Sequence, residues 1–216
     1  HKYGVFEVGM SKSGEIKKLS KLIRPHIGII TNIGEAHIEN FRNIDGIAKA
    51  KAEIIDSIKK YGTIIINRDD RFFNYLYREA KLKKLKIVTF GLSRKSDIFP
   101  LKAVKGKKLT RYSIQVMNEK IDLEIRNINI YNVLASLAAI KELNLNLKKI
   151  LKFFKNFEPT DGRGKTHVIS RYNKKFNLID ESYNANPLSV KRAINKLSSI
   201  KKENFKKYLI LGDMLE

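Results

Sequence analysis

Cysteine is absent from the 216 residues. That excludes a disulfide framework, cysteine-ligated zinc and a thiol nucleophile, and it fits a reducing compartment. No apolar run approaches the roughly 20 residues that a membrane-spanning helix needs, and no signal-peptide pattern opens the chain. A soluble, cytoplasmic protein is expected. Acidic residues are scarce: 22 Asp and Glu stand against 44 Lys and Arg, for a formal charge of +22 and a pI near 10.0. Such an excess raises the question of nucleic acid. The lysines, however, are spread over almost every segment (Lys17, Lys18, Lys59, Lys60, Lys83, Lys84, Lys107, Lys108, Lys148, Lys149, Lys201, Lys202), with no basic tail and no repeating basic-aromatic pattern. Solvated lysine-rich faces explain that distribution, and no nucleic-acid partner is expected.

What is present is a globular chain, 43% hydrophobic, long enough for one core and part of a second. Alternation at 3–9 places Val5 and Glu7 on one face and Phe6 and Val8 on the other, the pattern of a strand. A short amphipathic helix follows at 15–23, and 27–33 is an apolar run of the buried parallel type. A helix over 45–60 carries Ile47, Ile54, Ile55 and Ile58 on one stripe, with Lys51 in its middle and Lys49 opposite. A lysine there needs a buried partner, a modified amine or a route by which its long stem snorkels to water.

A strand at 63–67, a helix at 71–82 and a strand at 86–90 continue an α/β alternation. Short alternating runs between 97 and 125 read as a β-hairpin insertion, and helices follow at 129–143 and 147–157. The Pro- and Gly-containing stretch at 158–165 suits a boundary, with domains expected at 1–162 and 163–216. Beyond it, strands at 166–170, 175–179 and 208–211 and a helix from Pro187 begin a second α/β unit. No internal repeat is found.

Three places carry chemistry. The apolar residues Phe176, Leu178 and Ile179 lead into paired acids, Asp180 and Glu181, and a polar turn closes on Asn186 and Pro187. Asn186 suits a helix N-cap and Pro187 the first helical position. A carboxylate at the end of such a strand can take a ribose hydroxyl. Second, Gly164-Lys165-Thr166 resembles the end of a phosphate loop, yet Pro159 occupies the place of its first glycine, so that reading is rejected. Third, Glu7 and His37, at or after strand ends, are groups a divalent cation accepts, although an isolated Glu or His is more often structural. A lysine cannot ligate Mg²⁺ as an ammonium, but its neutral amine can take up CO₂ to become a carbamate, in effect a long carboxylate.

Five strings extend this reading: Asp180-Glu-Ser-Tyr-Asn-Ala-Asn-Pro187, Leu211-Gly-Asp-Met-Leu-Glu216, Phe6-Glu7-Val8-Gly9 with Gly14-Glu15-Ile16 following, Ala36-His37-Ile38-Glu39, and Ala50-Lys51-Ala52-Glu53-Ile54. Together they resemble the Mur ligase family, in its branch that adds D-alanyl-D-alanine to UDP-N-acetylmuramoyl-tripeptide during peptidoglycan precursor synthesis. The resemblance implies an α/β fold: the mostly parallel-sheet central ATPase domain with its β-hairpin insertion, then the start of a Rossmann-like C-terminal domain. It implies ATP and Mg²⁺ as cofactors, and an acyl-phosphate intermediate in amide formation. Glu7, His37 and Lys51, the last as a CO₂-derived carbamate, would be the catalytic and metal residues. Asn132, Arg163 and Glu181 would bind ATP, and Asn32, Asn184 and Asn186 are candidate substrate contacts.

The sequence departs from the family's pattern in several places. The family's phosphate loop would lie before His1, and most of the third domain beyond Glu216. Arg126-Asn-Ile-Asn129 stands where a Gly-x-His-Asn string is usual, and Glu181 where many relatives have aspartate. These 216 residues alone are therefore expected to be inactive, and the protein to be a monomer. A sister ligase acting on an earlier precursor or on folate, and a basic nucleic-acid-binding protein, are the alternatives.

Overall fold

The computed structural model of the chain describes every residue except 36, 107–108, 127, 201–205 and 215–216. Ala36, Lys107, Lys108, Asn127, Lys201, Lys202, Leu215 and Glu216, named above, lie outside the described residues. The chain divides into two compact units, one of residues 1–33 and 40–157, the other of residues 34–39 and 158–216. Among the described residues no helix is long and apolar enough to cross a membrane.

The first unit is built on a six-stranded sheet in the order β1-β2-β3-β4-β5-β6. β1 (Ile27–Ile30), β2 (Thr63–Asn67), β3 (Lys86–Phe90) and β4 (Ile98–Lys105) pair in parallel, and β5 (Thr110–Val116) and β6 (Glu119–Ile125) continue from β4 antiparallel. The expected hairpin is thus the far half of the same sheet.

β2 lies at the centre of the packing because its three isoleucines serve opposite faces. Ile64 and Ile66 join the core formed with α1 (Glu15–Ile23), α2 (Ile44–Ser57) and α3 (Phe73–Leu82), where Ile16, Ile47, Ile55 and Leu76 are buried. Ile65 points the other way, into the core of Leu134 and Leu137 on α4 (Ile130–Glu142) and Leu147 on α5 (Leu147–Lys155). A period-2 strand covered on both faces reads as an unbroken apolar run, as this one does.

Two expected strands are corrected. Residues 1–10 have no regular structure, with Val5 98% and Phe6 66% exposed. Residues 206–214 are likewise irregular, with Tyr208 and Ile210 exposed. Alternation makes a segment able to pair, but a strand is marginal without a partner ladder. Among the described residues β1 pairs only with β2, and none pairs with 3–9 or 208–211. α3 starts at Phe73 rather than 71, and in the turn ahead of it Asp70 accepts from the Phe72 amide.

In the second unit, β7 (Lys165–Arg171) and β8 (Lys174–Asp180) form an antiparallel hairpin around Tyr172 and Asn173, both left-handed at φ 50° and 58°. That is the primed-turn geometry that matches strand twist. α6 (Pro187–Ser198) starts as expected: the Asn186 side chain accepts from the Ser189 amide at 2.9 Å, the Ser189 hydroxyl accepts from the Asn186 amide at 3.0 Å, and Pro187 takes the first turn.

Leu134 is fully buried where α4 meets the sheet. Leu134→Ala is expected to cost about 2–5 kcal/mol, read as a fall in the urea midpoint at unchanged slope.

Candidate functional site

The carboxyl ends of β1, β2 and β3 are joined by the polar quartet that follows β2. The Asn67 side-chain amide donates to the Thr31 carbonyl at 3.2 Å, and its oxygen accepts from the Asp69 amide at 3.0 Å. Asp70 takes the Ile33 amide on Oδ2 at 2.7 Å and the Phe72 amide on Oδ1 at 2.8 Å. Asp69 Oδ2 takes the Leu92 amide at 2.5 Å and the Tyr131 hydroxyl at 3.1 Å. Three parallel strand ends and the start of α4 are therefore bound to one turn. In open α/β sheets this is the edge where ligands bind. Asp69 and Asp70 were missed in the sequence, where they read only as a strand terminus; the available signal was paired acids directly after a buried strand.

Lys51 lies half-buried on the α2 stripe, between buried Ile47 and Ile55. Its Nζ donates to the Asn32 carbonyl at 2.9 Å. That carbonyl gives the unmodified side chain a polar partner. Burial pushes the Lys51 pKa below the usual lysine value, and the Asp70 charge acts against that. Asn32 is thus joined to Lys51 through its backbone, while its side chain stays beside the Thr31 hydroxyl. Lys49 is exposed.

Glu7 is exposed in the irregular segment. His37, left-handed at φ 60°, belongs to the second unit, where Nδ1 lies 3.9 Å from Glu39. Among the described residues no three His, Asp or Glu side chains cluster so as to hold a metal ion.

The second unit brings two of the predicted nucleotide residues together. Gly162 and Gly164 are left-handed at φ 75° and 89°, and they press the loop onto the end of β8. The Gly162 amide donates to Asp180 Oδ2 at 3.0 Å, the Gly164 amide to the Asp180 carbonyl at 2.6 Å, and the Tyr183 amide to the Gly162 carbonyl at 3.1 Å. A Cβ on Gly162 would fall 2.7 Å from that of Tyr183, and one on Gly164 would fall 2.8 Å from Glu181 Oε1, so both positions need glycine. Between them the Arg163 guanidinium stacks 4.2 Å from the Tyr183 ring centre. Glu181 Oε1 stands 3.8 Å from Lys196 Nζ.

Asn184 is exposed, and the Asn186 side chain is taken up by its cap. Asn132 belongs to the first unit, exposed on the opening turn of α4. Lys165 opens a strand and pairs with Asp161 at 2.8 Å, which agrees with rejecting a phosphate loop at 164–166.

A mostly parallel sheet covered on both faces, with polar groups gathered at its carboxyl edge, defines an α/β domain. The family model for the Mur ligase middle domain matches residues 1–140, and the chain belongs to the Mur ligase family. Two relatives named UDP-N-acetylmuramoyl-tripeptide--D-alanyl-D-alanine ligase align over nearly all of it. That of Rickettsia prowazekii is 33% identical across 99% of this chain and 47% of its own length; that of Buchnera aphidicola subsp. Acyrthosiphon pisum is 34% identical across 100% and 47%. The chain thus spans about half the length of these relatives. A crystal structure of MurF from Acinetobacter baumannii, 28% identical, superposes with a TM-score of 0.81 over 93% of this chain and 43% of that one.

The Ser182 hydroxyl and amide and the Gly162 amide hold the Asp180 carboxyl below its usual 3.8. A depressed carboxylate contributes stability above its unfolded pKa, and that contribution is lost as pH falls through the folded one. The Gly162 and Ser182 amide resonances should therefore titrate with a midpoint below 3.8; a midpoint at or above 3.8 would contradict the clamp.

Proposed function

We propose that the chain forms part of an ATP-dependent ligase of the cytoplasm, acting as a monomer, that joins D-alanyl-D-alanine to UDP-N-acetylmuramoyl-tripeptide in peptidoglycan precursor synthesis. The observation that supports this is the likeness, across nearly all of this chain, to about half the length of ligases of that name, at 33% and 34% identity. In the reaction a carboxylate oxygen of the tripeptide attacks the γ-phosphorus of ATP, and the bond to the β-phosphate oxygen breaks to release ADP. The dipeptide amine then attacks the acyl carbon of the acyl phosphate, and phosphate leaves as the amine gives up a proton.

Such a transfer asks the protein chiefly to position its substrates and to offset negative charge. Asn132 would meet the nucleotide from the opening turn of α4. Arg163, stacked on the Tyr183 ring, would offer it a cation, and Glu181 would accept a ribose hydroxyl. Asn32 and Asn184 would contact the peptide substrates, and Asn186 would act through the start of α6. Lys51 already sits with its amine at the carboxyl edge of β1.

When bound, magnesium would supply neutralisation of phosphate charge. Glu7 and His37 are the residues proposed to hold one ion, and a CO₂-derived carbamate on Lys51 the other. Among the described residues no three His, Asp or Glu side chains stand together.

In the full-length protein, Lys51→Ala should lower the rate of phosphate release in the presence of all three substrates by about a hundredfold or more. Bicarbonate or a short carboxylate such as acetate should restore part of it. Parent-like rates from the alanine variant would dismiss the role of Lys51.

A further inference from the structure

Asn132 stands on the first turn of a helix, and a first turn needs support from outside the helix to hold a side chain at a ligand. Asn129 caps α4 by accepting the Tyr131 amide at 3.0 Å, but this bond lies within the same turn and cannot set where the turn sits. Core packing of Val133 seats the turn on the sheet, and a directed bond from Tyr131 adds to it: its hydroxyl donates to Asp69 Oδ2 at 3.1 Å, across 62 positions of sequence.

Asp69 is itself fixed from several sides. Its backbone amide donates to Asn67 Oδ1, the Arg68 amide before it donates to the Phe90 carbonyl at 2.7 Å, and its carboxylate takes the Leu92 amide at 2.5 Å. It can sit there only because residue 91 is glycine: a Cβ at Gly91 would fall 2.8 Å from Asp69 Oδ2 and 2.9 Å from its carboxyl carbon. The backbone φ of Gly91 does not demand glycine, so close approach of this carboxylate is what the residue provides.

We propose that Asp69 is a positioning residue for nucleotide binding: through the Tyr131 hydroxyl it fixes the opening turn of α4 and hence Asn132, with Gly91 leaving the space it needs. This rests on the nucleotide role of Asn132 proposed above. The same turn holds the Ile33 amide through Asp70, next to the Asn32 carbonyl that receives Lys51. One β2 terminus therefore bears on both the residue assigned to the nucleotide and the residue assigned, as a carbamate, to magnesium.

The test uses the full-length protein and four variants: Tyr131→Phe, which removes only the hydroxyl; Gly91→Ala, which pushes the Asp69 carboxylate aside; Asn132→Ala; and the Tyr131→Phe/Asn132→Ala double variant. Loss of one hydrogen bond to a charged acceptor should raise the KM for ATP and the Kd for ADP about three- to tenfold in each of the first two variants. The kcat and the KM values for the peptide substrates should stay within about twofold. In the double variant the KM for ATP should equal that of Asn132→Ala alone, because Tyr131 acts through Asn132.

An unchanged KM for ATP in Tyr131→Phe, with a raised one in Asn132→Ala, would overturn the proposal while leaving the role of Asn132 intact. An unchanged KM in Asn132→Ala would remove that role and this proposal with it. A common loss in kcat and every KM, together with a lowered thermal midpoint without nucleotide, would show general loosening of the fold and would also overturn it.

Discussion

β2 is covered on both faces, and the turn that leaves it has to satisfy the backbone of its neighbours as well as its own. Buried amides without partners are costly, and at the edge of a parallel sheet the ladder has run out. Asp70 and Asp69 supply the missing acceptors outward, to Ile33 beyond β1 and to Leu92 beyond β3, while Asn67 donates to the Thr31 carbonyl and accepts from Asp69 within the turn. The carboxyl edge is therefore held by side chains of one short turn. A rigid edge is a condition for any chemistry that depends on positioning, because a ligand clasped by loops from three strands is held no better than those loops are held to one another.

Lys51 shows how the edge accommodates a cation among isoleucines. Burying an ammonium without a partner is prohibitive, and a carboxylate partner would seem the simplest remedy. Asp70 is near enough to act on the lysine through its charge, yet its two oxygens are engaged by the Ile33 and Phe72 amides. The ammonium is given a neutral carbonyl, that of Asn32. It is solvated without being neutralised, which leaves an amine of lowered pKa at the strand end. This is the state from which a lysine is most readily converted or redirected toward an anion.

How much of this was legible in the sequence follows from the distance over which each interaction acts. The Asn186 cap and Pro187 were readable because a helix start is decided within four residues. The place of Lys51 on an apolar stripe was readable because helical periodicity is local, but its acceptor, 19 positions away, was not. The strand expected at 3–9 failed for the same reason: alternation records what a segment could pair with, and pairing is decided elsewhere. Asp69 escaped notice because nothing near it in sequence points to Tyr131 or Gly91. The glycines at 162 and 164 drew attention as breakers, while their actual function is to let Asp180 and Glu181 approach a backbone.

The scarcity of acidic residues then takes on a structural meaning. With half as many acids as bases, this chain places many of its carboxylates on backbone amides, where a charged acceptor counts most. Glu15 takes the amides of Ser11 and Lys12, Glu53 those of Gly14 and Lys17 at a helix start that has no side-chain cap of its own, and Asp97 that of Thr89. Asp69, Asp70 and Asp180 do the same at the two places where strand ends meet loops. The lysines left in excess remain on solvated faces, where they do not compete for those acceptors. The acids on turn amides hold the fold, so replacing one of these carboxylates is expected to perturb this protein more than replacing one of its many surface lysines.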